Sequence, residues 1–99
     1  MSKNRYAARV DSNQNDIVSA LRDIPCVTVE VNHDDVLVGY QGRTYWYEIK
    51  NPNTVSTKTG EVRESAIKTS QKKIRAIWTG HYKIVYSITE ILKDMGIIK

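Results

Sequence analysis

"DVLVGYQGRTYWYEIK", residues 35–50, contains two strand-like runs separated only by Gln41-Gly42. Both runs are rich in β-branched and aromatic residues, and two residues including a glycine between such runs mark a tight hairpin. A two-residue turn pairs Tyr40 with Arg43. The pairing then runs outward: Gly39 faces Thr44, Leu37 faces Trp46 and Asp35 faces Glu48. Side chains alternate along a strand, so these residues share one face, and Lys50, two positions beyond Glu48, joins them. Directly opposed residues have Cβ atoms roughly 4.5–5.5 Å apart, where like charges destabilise a sheet. Two carboxylates at that separation need a cation, a shared proton or full solvation. Magnesium binds through one or two carboxylates and keeps several waters, which suits the pair. A solvated polar face is the competing reading. Leu37 and Trp46 on the same face weigh against it and predict that a helix covers that face.

Outward from the hairpin, residues 11–24, "DSNQNDIVSALRDI", place Ile17, Ala20, Leu21 and Ile24 at helical spacing. Asp11 and Gln14 have the spacing of a capping box, and Gln14 also lies on the inward stripe. Residues 25–31 read as a strand, and Cys26 within it as a buried structural thiol with no activating neighbour. A single cysteine excludes an internal disulfide. Residues 51–62, "NPNTVSTKTGEV", read as a long exposed loop. From 63 to 79 a second helix is predicted, with Ile67, Ile74, Ile77 and Trp78 on one face and Gln71 among them. A polar amide there requires a buried partner, a backbone group being the plainest one. Residues 82–87 form a fourth strand. A third helix faces Ile88, Ile91, Leu92 and Met95 inward and stops at Gly96. The order is αβββαβα, an α/β domain spanning 1–99 with a mixed sheet flanked by helices.

The net charge of +4 is unevenly spread. Residues 1–50 carry six Lys/Arg against seven Asp/Glu, whereas residues 51–99 carry nine against four. Lys58, Arg63, Lys68, Lys72, Lys73 and Arg75 form one basic segment, and Lys3, Arg5 and Arg9 form another in a loose arm over 1–10. Basic segments in an otherwise balanced domain suit a polyanion such as DNA, with ordinary solvated surface as the alternative for each residue. No apolar run is long enough to span a membrane, and no signal peptide is evident, which fits a cytoplasmic protein. His33 and His81 read as solvated loop histidines, and without cysteine partners they make no zinc site. Tyr45 and Tyr47 alternate with the acidic residues and face the other way, into core or subunit packing.

An acidic residue, a connecting hairpin and Glu-x-Lys, followed by a helix carrying glutamine, resembles the PD-(D/E)XK nuclease superfamily. The likeness is to the small phage-type members related to virus-type replication–repair (VRR-NUC) nucleases and archaeal Holliday junction resolvases. It extends from "RVDSNQNDIVSALR" through the hairpin to "QKKIRAIWTGHYKIVYSITEIL". The resemblance implies a restriction-endonuclease-like fold and Mg²⁺-dependent hydrolysis of DNA phosphodiesters, with Mn²⁺ as a substitute. It implies that Asp35, Glu48 and the backbone carbonyl of Ile49 hold the metal, and that Lys50 orients the attacking water. Gln71 matches a glutamine found on the following helix in this branch. Two positions depart from the pattern. Asp34 stands where the motif has proline, and Gln14 stands where relatives often carry glutamate, so Gln14 reaches a metal only through water.

Two functions from different classes follow. The first is a structure-selective endonuclease acting on branched DNA in replication, recombination or repair, in a bacterial host if phage-encoded. The second is a non-catalytic DNA-binding or assembly module retaining the same fold. Resolving a junction needs two symmetric nicks, so the first predicts a homodimer. Tyr45, Tyr47, Tyr82, Tyr86 and Trp78 offer aromatic surface for it.

Overall fold

Gln41 and Gly42 both adopt left-handed backbone conformations, with φ of 52° and 77°. That is the hairpin turn whose twist matches its flanking strands. In this computed structural model, which describes residues 13–32 and 35–99, the turn joins β2 (Asp35–Tyr40) to β3 (Arg43–Ile49). The register is the one the turn dictates: Tyr40 opposite Arg43, Leu37 opposite Trp46 and Asp35 opposite Glu48. On the other side β2 pairs antiparallel with β1 (Val27–Asn32), Val29 facing Val38 and Asn32 facing Asp35. β3 pairs parallel with β4 (Lys83–Val85), so the four-stranded sheet is mixed and ordered β1-β2-β3-β4. Helix α1 (Gln14–Arg22) precedes the sheet, α2 (Thr69–Ile77) lies between β3 and β4, and α3 (Ile88–Asp94) follows. The αβββαβα order is therefore the one observed.

One face of the sheet is the core. Val27, Val29, Val36, Val38, Tyr45, Tyr47, Ile49 and Val85 project from it and are buried. Ile17, Val18 and Leu21 of α1, with Ile91 of α3 and Met95 just past it, cover that face. Ser87 caps α3, its hydroxyl accepting from the Glu90 N–H at 3.2 Å. The helix ends as its glycine predicts: Gly96 has φ 79°, its N–H bonds the Lys93 carbonyl, and the Ile97 N–H bonds that of Leu92.

Three local expectations are corrected, and the exposed loop over 51–62 gains detail. Cys26 is exposed, not buried, because it occupies the turn between α1 and β1 with φ 68°. The segment 51–62 is folded back on itself. Asn51 accepts from the Asn53 N–H, Val55 bridges Val62, and the Ser56 N–H bonds the Glu61 carbonyl at 2.8 Å. The helix placed over 63–79 begins only at Thr69, because Ile67 and Lys68 are extended. Ile67 is still buried, but Ile77 and Trp78 are 69% and 52% exposed. Finally, no helix among the described residues seals the Leu37/Trp46 face: Leu37 is 45% exposed and Trp46 half-buried. The flanking is one-sided there. The Asp11 cap of α1, the arm residues Lys3, Arg5 and Arg9, and His33 with Asp34 lie outside the described residues. Within them, Asn13 is the residue preceding α1. No helix among them is long and apolar enough to cross a membrane.

Candidate functional site

Four polar or charged residues are buried among the described ones: Gln14, Glu48, Lys50 and Gln71, each 3–7% exposed. All four carry site expectations from sequence alone. Glu48 is held at the end of β3 between Asp35 of β2 and Ile84 of β4, its direct partners on either side. Lys50 follows the strand, and its N–H donates to the Val85 carbonyl at 2.8 Å. Its own carbonyl accepts from Asn13 Nδ2 at 3.1 Å, and the same amide donates to the Tyr86 carbonyl at 2.9 Å. Asn13 thereby ties the start of α1 to the ends of β3 and β4, which brings Gln14 to the Glu48/Lys50 end of the sheet. Gln14 and Glu48 both engage neighbouring groups.

Asp35 is less buried than Glu48 and is oriented by a neighbour. Trp46 Nε1 donates to its Oδ2 at 2.8 Å, diagonally across the hairpin face. That bond occupies one carboxylate oxygen and fixes the direction of the other, the task performed by groups one shell out from a metal ligand. Sequence reasoning placed Trp46 on this face without finding the bond, although the register makes it reachable. Gln71 differs from the expectation of a site partner in what it visibly does. Its Oε1 accepts from the Lys68 N–H at 3.0 Å, so it closes the first turn of α2.

The donor set decides which metal these residues suit. Among the described residues no group of three or more His, Cys, Asp or Glu converges. The opposed carboxylates of Asp35 and Glu48 offer oxygen donors. Hard oxygen donors of that kind fit Mg²⁺, which completes its shell with water, and do not fit zinc.

The six basic residues of the 58–75 segment are all exposed, but they are not equivalent. Arg75 is committed to Glu64 through paired contacts of 2.9 and 3.2 Å, which hold its guanidinium above and the Glu64 carboxyl below their usual ranges. Arg63 donates to the Asn53 carbonyl at 3.1 Å. Among the described residues the ammonium groups of Lys58, Lys68, Lys72 and Lys73 have no such tether and are open to solvent.

The core face holds the feature that sequence missed. His81 is not solvated. Its Nδ1 accepts from the Trp46 N–H at 3.0 Å, and its Nε2 meets Asp94 Oδ2 at 2.6 Å. A ring carrying its proton on Nε2 satisfies both contacts. Tyr47, fully buried, donates its hydroxyl to the same carboxylate oxygen at 2.6 Å. Lys83 stands 3.6 Å from Oδ1. Burial alone would raise the Asp94 carboxyl, but the hydrogen bonds from Tyr47 and His81, with the Lys83 charge, hold it below the usual range. Burial, followed by the bond to Asp94, drives the Tyr47 phenol far above its ordinary value. Tyr45 and Tyr47 stack in parallel, 6.2 Å apart, with His81 edge-on to both. They belong to the core, so of the aromatic residues expected at a subunit interface only Trp78 is largely exposed. Tyr82 and Tyr86 are half-buried.

No family model, no curated protein and no solved structure matches this chain.

Proposed function

We propose that this chain is a metal-dependent endonuclease of the PD-(D/E)XK kind, acting on branched DNA as a homodimer. The observation that carries the reading is the pairing of Asp35 with Glu48 on adjacent strands, with Lys50 buried just past the end of β3. Buried charges cost more than apolar residues of the same shape, and a fold gains little stability from keeping them. Their retention favours chemistry over structure.

Asp35, Glu48 and the Ile49 carbonyl would hold the Mg²⁺, which when bound supplies Lewis-acid stabilisation of phosphate charge. Trp46 keeps Asp35 in its ligating direction. Lys50 donates toward the attacking water or the phosphate oxygens, and its burial strengthens that contact by excluding bulk solvent. Lys58, Lys68, Lys72 and Lys73 hold the DNA backbone through phosphate contacts that carry no sequence information. A DNA-binding module without catalysis is the second reading, and the neutral Gln14 amide favours it. That side chain is buried and brings no charge to a second cation.

Glu48→Gln and Asp35→Asn separate the two. With Mg²⁺ and a labelled four-way junction, both variants should lose cleavage by at least a hundredfold while still retarding the junction on a gel. Cleavage at the wild-type rate by either variant would overturn the site assignment. A wild-type chain that binds the junction and never cuts would establish the module.

A further inference from the structure

The hairpin face that no helix among the described residues seals contains a cleft reaching Asp35 of the carboxylate pair. Leu37, Trp46 and Trp78 line it together with Glu30, Asn32 and Asp35, most of its surface is apolar, and its volume is about 310 Å³. Glu30 and Asn32 reach it from β1, where they pair with Leu37 and Asp35. Trp78 arrives from the end of α2, its N–H bonded to the Ile74 carbonyl at 2.8 Å. It meets Trp46 nearly perpendicularly, at 86° with ring centroids 5.1 Å apart. An edge-on contact of this type uses one ring face at most, and Trp78 remains half exposed.

We infer that this cleft receives a single unpaired nucleobase of the DNA substrate, with Trp78 as its stacking platform. The inference rests on the nuclease reading of the adjacent carboxylates. Four observations select this occupant. Aromatic and aliphatic walls suit a flat, uncharged ring, and every base has a π-face to stack. The volume lies at the lower end of the roughly 300–1,000 Å³ of small-ligand sites, enough for one ring system and too little for a partner helix. Glu30 and Asp35 place negative charge along the lining and disfavour a phosphate inside it, so the base end enters and the backbone stays out. Asp35 also belongs to both cleft and carboxylate pair, so a nucleotide whose base fills the cleft has its phosphate next to the metal ligands. A base stacked and paired within a duplex cannot enter such a site. The substrate therefore has unpaired nucleotides at the cutting point, as at a branch, flap or frayed end, and uninterrupted duplex is disfavoured.

Binding measured in EDTA tests this independently of cleavage. Fluorescein-labelled forked DNA and a duplex of equal length are titrated with wild type, Trp78→Ala and Trp78→Phe. Trp78 is exposed, so the variants should keep the wild-type circular dichroism spectrum. Wild type should prefer the fork, and its tryptophan emission should be quenched by it. Trp78→Ala should lose about five- to a hundredfold in fork affinity, the loss expected for one stacked base, with duplex affinity unchanged. Trp78→Phe should retain most of the preference. Equal affinity of wild type for fork and duplex would overturn the proposal. So would a fork preference that survives Trp78→Ala, or an Ala variant whose only change is conversion of a dimer to a monomer. A chain with a Trp78-dependent fork preference that never cuts would refute the nuclease reading and leave the cleft standing. A chain that cuts without that preference would do the reverse.

Discussion

The two faces of one hairpin have opposite characters. On the core face, Val36, Val38, Tyr45, Tyr47 and Ile49 are buried against α1 and α3. On the other face, set one residue out of step, are Asp35, Leu37, Trp46 and Glu48, with Lys50 just past the end of β3. Alternation along the strand lets the first set stabilise a backbone on which the second can be kept despite its electrostatic cost. The difference teaches that stability and the candidate chemistry are assigned to different residues of the same strands, separated by a single peptide unit.

Three measurements would break or sharpen this contrast. The largest effect belongs to Ile49, which sits between Glu48 and Lys50 but points into the core. Ile49→Ala should cost about 2–5 kcal/mol in urea unfolding, as for other buried aliphatic truncations. Leu37→Ala, on the open face, should cost at most about 1 kcal/mol because much of that side chain is already in water. Similar losses at both positions would mean that something covers the open face.

Next is Asp94, which anchors the core face through Tyr47 and His81. Asp94→Asn should lower stability at neutral pH by about 1.5–3 kcal/mol, the range for hydrogen bonds to a charged group. Because its folded-state pKa lies below the usual value, its contribution is present above the ordinary carboxylate range. It is lost as pH falls through the depressed folded value. Wild type and Asp94→Asn should therefore differ most near pH 7 and converge in acid, as followed by thermal unfolding across pH. A constant gap would assign the loss to packing.

The smallest effect is expected at Glu48. Without metal, Glu48→Gln relieves repulsion with Asp35, so stability should stay level or rise by up to about 1 kcal/mol. A clear loss would make Glu48 a structural residue, a role shared with the opposite face.

The hairpin was legible because its determinants are local. Gln41-Gly42 sets the turn, the turn sets the register, and the register brings Asp35 to Glu48 without any tertiary information. The buried amides were legible as polar interruptions of apolar helix stripes, although Gln71 turned out to cap its helix. Capping there escaped detection because Lys68 is not a capping residue type, so nothing marked Thr69 as the start of α2. The illegible parts depend on distant partners. His81 meets Asp94 and the Trp46 N–H only after β4 has docked beside β3. Ile77 and Trp78 follow helical spacing, but periodicity cannot say that the surface opposite them stays open. Cys26 has an apolar neighbourhood in sequence and a left-handed backbone in space. Nothing in the residue type signals that conformation.

The two-residue turn also acts as a counting device. Because faces alternate with a period of two, inserting or deleting one residue within β2 or β3 would bring Asp35 round to the valine and tyrosine side and deliver an apolar residue to Glu48. A change of two residues restores the faces and shifts only the distance along the strand. Length variation in this hairpin should therefore be quantised: odd changes in one strand erase the carboxylate pair and the core together, whereas even changes keep the core face and move the carboxylates apart along the other. The separation of thirteen positions between Asp35 and Glu48 is in this sense a parity, inherited or lost as a unit, and not merely a spacing.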